Sequence, residues 1–530
     1  MSLLEKASII TTPTAYGVGV LNSIKPAYAL GNNLLTQNWT TTGDWVFTNN
    51  GTENAALSKA TAVATNCRQT NIGLVSNRTY KLEFTISVYN AGSLAVKFGG
   101  GAAVQIENES VGKFSLDLLN DGTVDNIQFQ GTFQGTIEQI RLREITDADF
   151  DFTRTSTATR VNPDYLIETV AANTPRLDYT NGVAQILIEN QSTNLIPYSQ
   201  DFSQWLLDGS QSSPTTTTGT NPDGSSQVYQ IELNSGGNIY RTISISSSID
   251  YTFSVYIKGT GNGRLIISNA QFTPENYVDF TATSEWQRIE LTGSSLSTSV
   301  RVAIGSWSGS LASGTIQIYG GQLEQKSFST SLIHTSGSTV TRAAETANNA
   351  GNSDLINSTE GTLYCEIAAL TDDGTRRGIS ISDGAATANV VRISYHSVSN
   401  TIRGQVRSGG SLVASNQVVL TDTRDYHKVA FSYKENETRL YIDGAEVGAD
   451  DNLTVPVGLN VLAFSEGGGS NPFYGKCKTV AVFKEALSAS EMTCLTSTNN
   501  REIFLNYYYR MHYVGANIEA LSCAEKTFNV

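Results

Sequence analysis

Tyr80-Lys81-Leu82-Glu83-Phe84-Thr85-Ile86-Ser87-Val88-Tyr89 alternates with a period of two, so that Leu82, Phe84, Ile86 and Val88 share one side of an extended chain. That period marks a strand with one face in a core and the other toward water. Tyr251-Thr252-Phe253-Ser254-Val255-Tyr256-Ile257 repeats the pattern, as does Thr438-Arg439-Leu440-Tyr441-Ile442. Each run ends in turn-forming residues: Asn90-Ala91-Gly92, Lys258-Gly259 and Asp443-Gly444. Strands of this length, punctuated by Gly, Asn and Asp, predict an all-β chain built of sandwiches. Only the short stretch Lys484–Met492 reads as a helix.

Composition agrees with that reading. At roughly 100–200 residues per domain, 530 residues predict about three to five modules. A hydrophobic fraction of 39% supports real cores and excludes wholesale disorder, while only 16% charged residues argues against long charged helices. The formal net charge of −14 opposes sequence-independent nucleic-acid binding, which requires clustered Lys and Arg, and opposes a polybasic membrane surface. No stretch approaches the ~18 apolar residues of a membrane span, so no membrane insertion is expected. Glu5 and Lys6 stand where a signal peptide would need its apolar core. Cys67, Cys365, Cys477, Cys494 and Cys523 form neither a CxxC pair nor a disulfide framework, and read as isolated thiols of a chain made in a reducing cytosol.

An internal repeat organises the first two-thirds of the chain. One copy opens at Asn33-Leu34-Leu35, reaches Trp39, runs through the Tyr80–Tyr89 strand and closes at Gly135-Thr136-Ile137. The second opens at Asn194-Leu195-Ile196, reaches Trp205, runs through Tyr251–Ile257 and closes at Gly314-Thr315-Ile316. This order resembles jelly-roll carbohydrate-binding modules, placed at residues 30–146 and 192–328. A third unit, residues 343–490, carries His427-Lys428-Val429-Ala430, then Leu440-Tyr441-Ile442-Asp443-Gly444, then Phe473-Tyr474-Gly475. It resembles laminin-G-like, concanavalin A-type sandwiches. The fold expected is therefore tandem β-sandwiches, two jelly rolls and one concanavalin A-like body, with short connecting segments at 147–191 and 329–342.

Those connecting segments contain Phe150-Asp151-Phe152-Thr153-Arg154, Ala158-Thr159-Arg160-Val161, Thr174-Pro175-Arg176 and Val340-Thr341-Arg342. Together with Thr12-Pro13-Thr14-Ala15-Tyr16 and Ser23-Ile24-Lys25-Pro26, they resemble a family of tailed-bacteriophage structural proteins associated with head or tail fibres. In that family the two blocks run directly together, whereas here the first jelly roll separates them. The resemblance implies a virion protein made in the host bacterial cytoplasm. It implies that residues 1–29 dock on other virion proteins and that the lectin-like modules meet host-surface glycans. The aromatic run Ile503-Phe504-Leu505-Asn506-Tyr507-Tyr508-Tyr509 lies in a terminal segment, residues 491–530, that would be sticky if exposed. Assembly with sister subunits is expected to cover it, and the resemblance favours a trimer.

Catalytic signals are sparse. His334, His396, His427 and His512 are isolated in sequence, and neither HExxH nor zinc-ligand spacing occurs. His427 is read as packing on a strand edge. Glycoside hydrolysis needs two carboxylates roughly 5–5.5 or 6.5–9.5 Å apart. Glu435 and Glu437 alternate, but they sit at what reads as a solvated hairpin tip. Gly467-Gly468-Gly469-Ser470-Asn471-Pro472 lacks the glycine spacing of a phosphate loop and reads as a flexible loop. No cofactor is expected. Calcium is the one alternative, with Asp147, Asp149 and Asp151 on one strand face as its ligands.

Sugar binding rests on aromatic faces stacked on pyranose rings. Trp39 and Trp205 are assigned to the jelly-roll cores. Trp45 and Trp307, among Thr, Gly, Asp and Ser, are the candidate exposed platforms, with core packing as the competing role. The expected function is a non-enzymatic virion fibre or decoration protein that adheres to host glycans. The alternatives are a purely architectural virion protein or a polysaccharide depolymerase.

Overall fold

Ile9 and Ile10, near the start of the chain, are both fully buried, and what buries them sets the architecture. In the computed structural model, which describes residues 3–14, 16–23, 33–35, 39–48, 56–74, 79–106, 110–120, 124–144, 148–269, 274–306, 312–385 and 388–497, the strand Ala7–Thr11 runs antiparallel to Gly475–Phe483, pairing Ile9 with Val482 and Ile10 with Ala481. Gly475–Phe483 is a central strand of an eight-stranded sheet ordered Arg176–Asp178, Gln185–Ile188, Gly475–Phe483, Glu360–Ala369, His427–Lys434, Glu437–Ile442 and Ala445–Asp450. Alternation then divides the side chains between two layers. Ile9, Val480 and Val482 enter the main core, while Ile10, Ala481 and Phe483 pack beneath the helix Ala489–Thr496 with Met492 and Leu495. The facing sheet, ordered Ser411–Val419, Thr401–Ser408, Val390–Tyr395, Arg377–Ser382 and Val461–Ala463, contributes Ile379, Ile381, Val391, Ile393, Ile402 and Val406 to that core. Gly404 is required by the fit of the two layers, since a Cβ there would lie 2.5 Å from the Phe431 ring.

Three expectations are corrected here. The beginning of the chain is no detached docking segment: its strand is buried on both faces inside the concanavalin A-like sandwich, and Lys6 pairs with Glu485 and Glu491. Residues 147–191 do more than connect. Phe150–Thr153 pairs with Val20–Leu21 and Thr346–Asn348 and sends Phe150 and Phe152 into the core, and Gln185–Ile188 extends the large sheet. The segment 329–342 likewise pairs, through Val340–Arg342, with Ser192–Asn194. Two smaller corrections follow. The terminal helix begins later than its sequence suggested, at Ala489, because Ser488 and Glu491 form a capping box there. Cys494 on that helix is disulfide-bonded, whereas Cys67, Cys365 and Cys477 are free and buried. Pairing depends on approach in space, which sequence spacing alone does not reveal.

Both jelly rolls are inserted into this body. The first, residues Ala27–Asp147, forms a separate compact unit of two five-stranded sheets. Phe84, Phe129, Phe133 and Trp45 lie in its core. The second is a nine-stranded sheet folded on itself by one 20-residue strand, Asp250–Asn269. This strand pairs with Gln287–Ser294 over its first half and with Pro274–Ala282 and Ser299–Gly305 over its second. Between the halves, Gly261 has φ +147°, and a Cβ there would meet the Ser313 carbonyl at 2.1 Å. The repeated opening asparagine has one structural job in both copies. Asn33 Oδ1 accepts from the Leu142 and Leu35 amides at 3.0 and 3.2 Å, and Asn194 Oδ1 accepts from Leu323 and Ile196, both at 3.1 Å. Each asparagine thereby staples the start of its sandwich to the closing strand.

A buried ionic network joins the second jelly roll to the body. The Glu345 carboxylate receives Arg154 Nη1 at 2.6 Å, Arg176 Nε at 2.8 Å and the Glu189 amide at 2.8 Å. Glu189 pairs with Arg176 and Arg342 at 2.8 and 2.7 Å and accepts from Ser331. Burial opposes the Glu189 charge, but Arg342 and Arg176 outweigh it and hold the carboxyl well below its ordinary range. On the closing strand of the jelly roll, Glu324 accepts from Ser192, Gln322 and Thr330.

Candidate functional site

The outer face of the second jelly roll carries a platform written by strand register. Leu206 pairs with Tyr240, Tyr240 with Ala303, Ala303 with Ile266, and Ile266 with Tyr277. Five adjacent strands thus contribute one residue each to a single row. Their neighbours Ile239, Val302, Ile304, Leu265, Ile267 and Phe280 point into the core, which turns this row outward. Ile266 and Ala303, in the middle of the row, are fully buried and present no surface. Its two ends stand in solvent, Tyr277 at 54% exposure and Leu206 at 51%. With strands about 4.8 Å apart, Tyr240 and Tyr277 are separated by about 14 Å, a reach suited to a short oligosaccharide.

Cations frame both rings. The Arg264 guanidinium lies 3.8 Å from the Tyr277 ring centroid, and that of Arg301 lies 4.8 Å from Tyr240. Arg264 is held in place by a fork to Asp279, with Nε and Nη2 at 2.7 and 3.1 Å from the two carboxylate oxygens. The hydrogen bond from Arg264 holds the Asp279 carboxyl below its ordinary value, so the fork stays ionised at neutral pH. A polar row follows beside the apolar one, pairing Asp208 with Asn238, Asn238 with Gly305, Gly305 with Arg264 and Arg264 with Asp279. The arrangement offers ring faces for the C–H surfaces of sugars, with carboxylate and guanidinium groups for their hydroxyls.

The aromatic residues chosen from sequence behave differently. Trp45 is 3% exposed and stacks on Phe133 at 6.1 Å, so it belongs to the first core and presents no ring to solvent. Its strand, Trp45–Thr48, turns Trp45 inward because the pairing to Ala56–Lys59 sets Leu57 and Trp45 on the core side. Trp307 lies outside the described residues. Trp205 is a core residue, and Trp39 packs against the first core at 5.7 Å from Phe129. Tyr240 and Tyr277 stand apart from the tryptophans that mark the two repeats. Their signal was present: in Asn276-Tyr277-Val278-Asp279-Phe280, inward Val278 and Phe280 leave Tyr277 and Asp279 facing out. The corresponding face of the first jelly roll aligns Thr40, Arg68, Gln128 and Lys97, a polar row without a ring.

The titratable candidates are engaged in structure. His427 Nδ1 sits 2.6 Å from Asp443 and Nε2 sits 3.0 Å from the Asp422 carbonyl, fixing a turn at the strand end. Glu437 pairs with Lys434 and Arg439 at the hairpin tip. Asp149 accepts from Asn22 and from the Ser23 amide, and Asp151 accepts from Asn349. Asp147 lies outside the described residues, and among the described residues no group of three or more His, Cys, Asp or Glu gathers as a metal site.

Residues 343–493 match the family model of the concanavalin A-like lectin/glucanases superfamily. Among solved structures, the CBM40 module of the Ruminococcus gnavus IT-sialidase bound to α2,3-sialyllactose is similar at 14% identity, covering 28% of this chain and 92% of that one with a TM-score of 0.24. Domain 4 of AbnA, a GH43 extracellular arabinanase from Geobacillus stearothermophilus, in complex with arabinotriose, is similar at 13% identity, covering 29% and 73% with a TM-score of 0.23. The heptameric SAP-like pentraxin of Limulus polyphemus is similar at 10% identity, covering 26% and 70% with a TM-score of 0.21. No curated protein matches the chain.

Proposed function

We propose that this protein is a non-enzymatic glycan-binding protein whose second jelly roll grips a short oligosaccharide along the Leu206–Tyr240–Ala303–Ile266–Tyr277 row. The observation that carries the reading is the pair of outward tyrosines, each framed by a guanidinium. Individual affinity of such an open face is modest, and display in several copies raises avidity without new contacts. A place on a bacteriophage particle, as a fibre or decoration adhering to host-surface glycans, is supported by the likeness of the Phe150–Val161 and Val340–Arg342 blocks to tailed-phage structural proteins.

A glycan array with the full chain tests the proposal, followed by titration calorimetry on the best sugar. Y240A and Y277A should each weaken binding by about fivefold, corresponding to about 1 kcal/mol for a lost stacking face. Unchanged affinity in both variants, with wild-type melting temperatures, would remove the platform as the site. Release of oligosaccharides from a bound polysaccharide would instead favour the depolymerase reading.

A further inference from the structure

A second polar cluster lies on the five-stranded sheet of the concanavalin A-like body, on the side opposite its core, and all of its side chains are buried. Strand parity puts Ile379, Ile381, Val391, Ile393, Ile402 and Val406 inward, so Ser380, Arg392, Ser394, Arg403 and Gln405 share the other side. Register sets Ser380 beside Arg392 and Arg392 beside Gln405, and it sets Ser394 beside Arg403. One carboxylate, that of Glu466, lies across the two arginines, 3.1 Å from Arg392 Nη1 and 3.5 Å from Arg403 Nη2. These contacts are looser than the 2.6–2.8 Å contacts of Glu345 and Glu189 in the buried junction.

Two arginines share a single carboxylate here, and the Ser380 hydroxyl is buried without a hydrogen-bond partner. Burial pushes both guanidinium groups below their ordinary values, with Glu466 opposing that shift. Glu466 stands at one end of Gly467-Gly468-Gly469, three consecutive residues with φ between +54° and +94°. Its side chain crosses Gly378, where a Cβ would lie 2.8 Å from Glu466 Cγ. Glu466 thus reaches an arginine pair from a strap whose conformation suits only glycine.

We infer that Arg392 and Arg403 form a receptor for the carboxylate of an acidic sugar, and that Glu466 occupies it as an internal stand-in, released with its glycine strap when the ligand enters. A guanidinium pair matches the planar carboxylate, Gln405 and Ser394 hold the two arginines by accepting from Arg392 and Arg403, and the Ser380 hydroxyl is left for a sugar hydroxyl. This site is independent of the tyrosine platform and lies in another module.

The test uses the full chain carrying Y240A and Y277A, so that binding at the platform is weakened, and reads a strap in another module. Hydrogen exchange is followed across residues 465–472 with and without millimolar oligogalacturonate. Faster exchange of that strap on adding the oligouronate, and no change with a neutral galactose oligomer, is the expected result. E466A should bind oligogalacturonate at least roughly tenfold more tightly than its parent, and adding R403A should abolish the gain. Unchanged strap exchange at saturating oligouronate would overturn the inference, as would an E466A chain that melts normally yet gains no affinity. An equal effect from poly-glutamate would overturn its assignment to a sugar.

Discussion

Glu345→Ala probes the junction most sharply. The carboxylate is fully buried and serves two equally buried arginines. Arg176 would retain Glu189 at 2.8 Å. Arg154 would keep only carbonyl acceptors, Ser156 O at 2.9 Å, Ala171 O at 2.6 Å and Val170 O at 3.4 Å, and would become a buried charge without a counter-ion. Breaking a buried pair in this way costs roughly 3–5 kcal/mol. At about 2–4 °C per kcal/mol for a domain of 150–250 residues, the transition of the body should fall by roughly 6–20 °C. Differential scanning calorimetry of the full chain reads this directly. Glu345→Gln, which keeps one acceptor oxygen, should fall less. Replacing Arg154, Arg176 and Glu345 together by Met, Leu and Leu leaves Glu189 paired with Arg342, and should recover most of the loss, since desolvated ion pairs exchange for apolar contacts at little net cost. Glu437→Ala, at the exposed hairpin tip, is the control and should leave the melt unchanged. An E345A transition within 2 °C of wild type would refute the reasoning.

Three further outcomes are expected. Because Glu189 titrates lower folded than unfolded, its contribution is present above the ordinary carboxylate range and is lost only as pH falls toward its lowered folded value; melts at pH 7 and pH 5 should therefore agree as far as this network is concerned, with loss beginning below about pH 4.5. Trp45→Ala should cost the first sandwich roughly 3–5 kcal/mol, seen as an earlier separate calorimetric transition, while glycan binding through the second jelly roll is unchanged. Excising residues 27–147 and joining Pro26 to Ala148 should leave the remainder folded, because Ser23 Oγ already donates to the Ala148 carbonyl at 2.5 Å; loss of the body's calorimetric transition would contradict this.

Much of the fold was legible because alternation is local: the Tyr251–Ile257 stretch needs only its own residues to declare a strand with an inner face. The repeated opening Asn, central strand and closing strand likewise marked two sandwiches before their pairing was known. What escaped is non-local. Nothing in Ala7-Ser8-Ile9-Ile10-Thr11 says that its partner lies at Val480–Phe483, so the segment reads as one that docks on another protein. Arg154, Arg176 and Arg342 sit in recognisable blocks, yet nothing local says that they meet Glu189 and Glu345 in the interior. The platform fell between these cases. Parity shows that Tyr277 faces outward, but its alignment with Tyr240 depends on the order of strands that lie far apart in sequence.

The pairing of Ala7–Thr11 with Gly475–Phe483 bears on how the chain is made. Ser8 donates to the carbonyl of Val482, 474 positions downstream. At about 5–20 residues per second, a ribosome needs roughly 25–95 s to deliver that partner. Within that interval both jelly rolls can complete themselves from contiguous chain, while the isoleucines at the front have nowhere to go. The last sandwich to be translated is therefore also the one that ties the knot, and a nascent chain stalled before residue 475 would present finished modules on an unfinished frame.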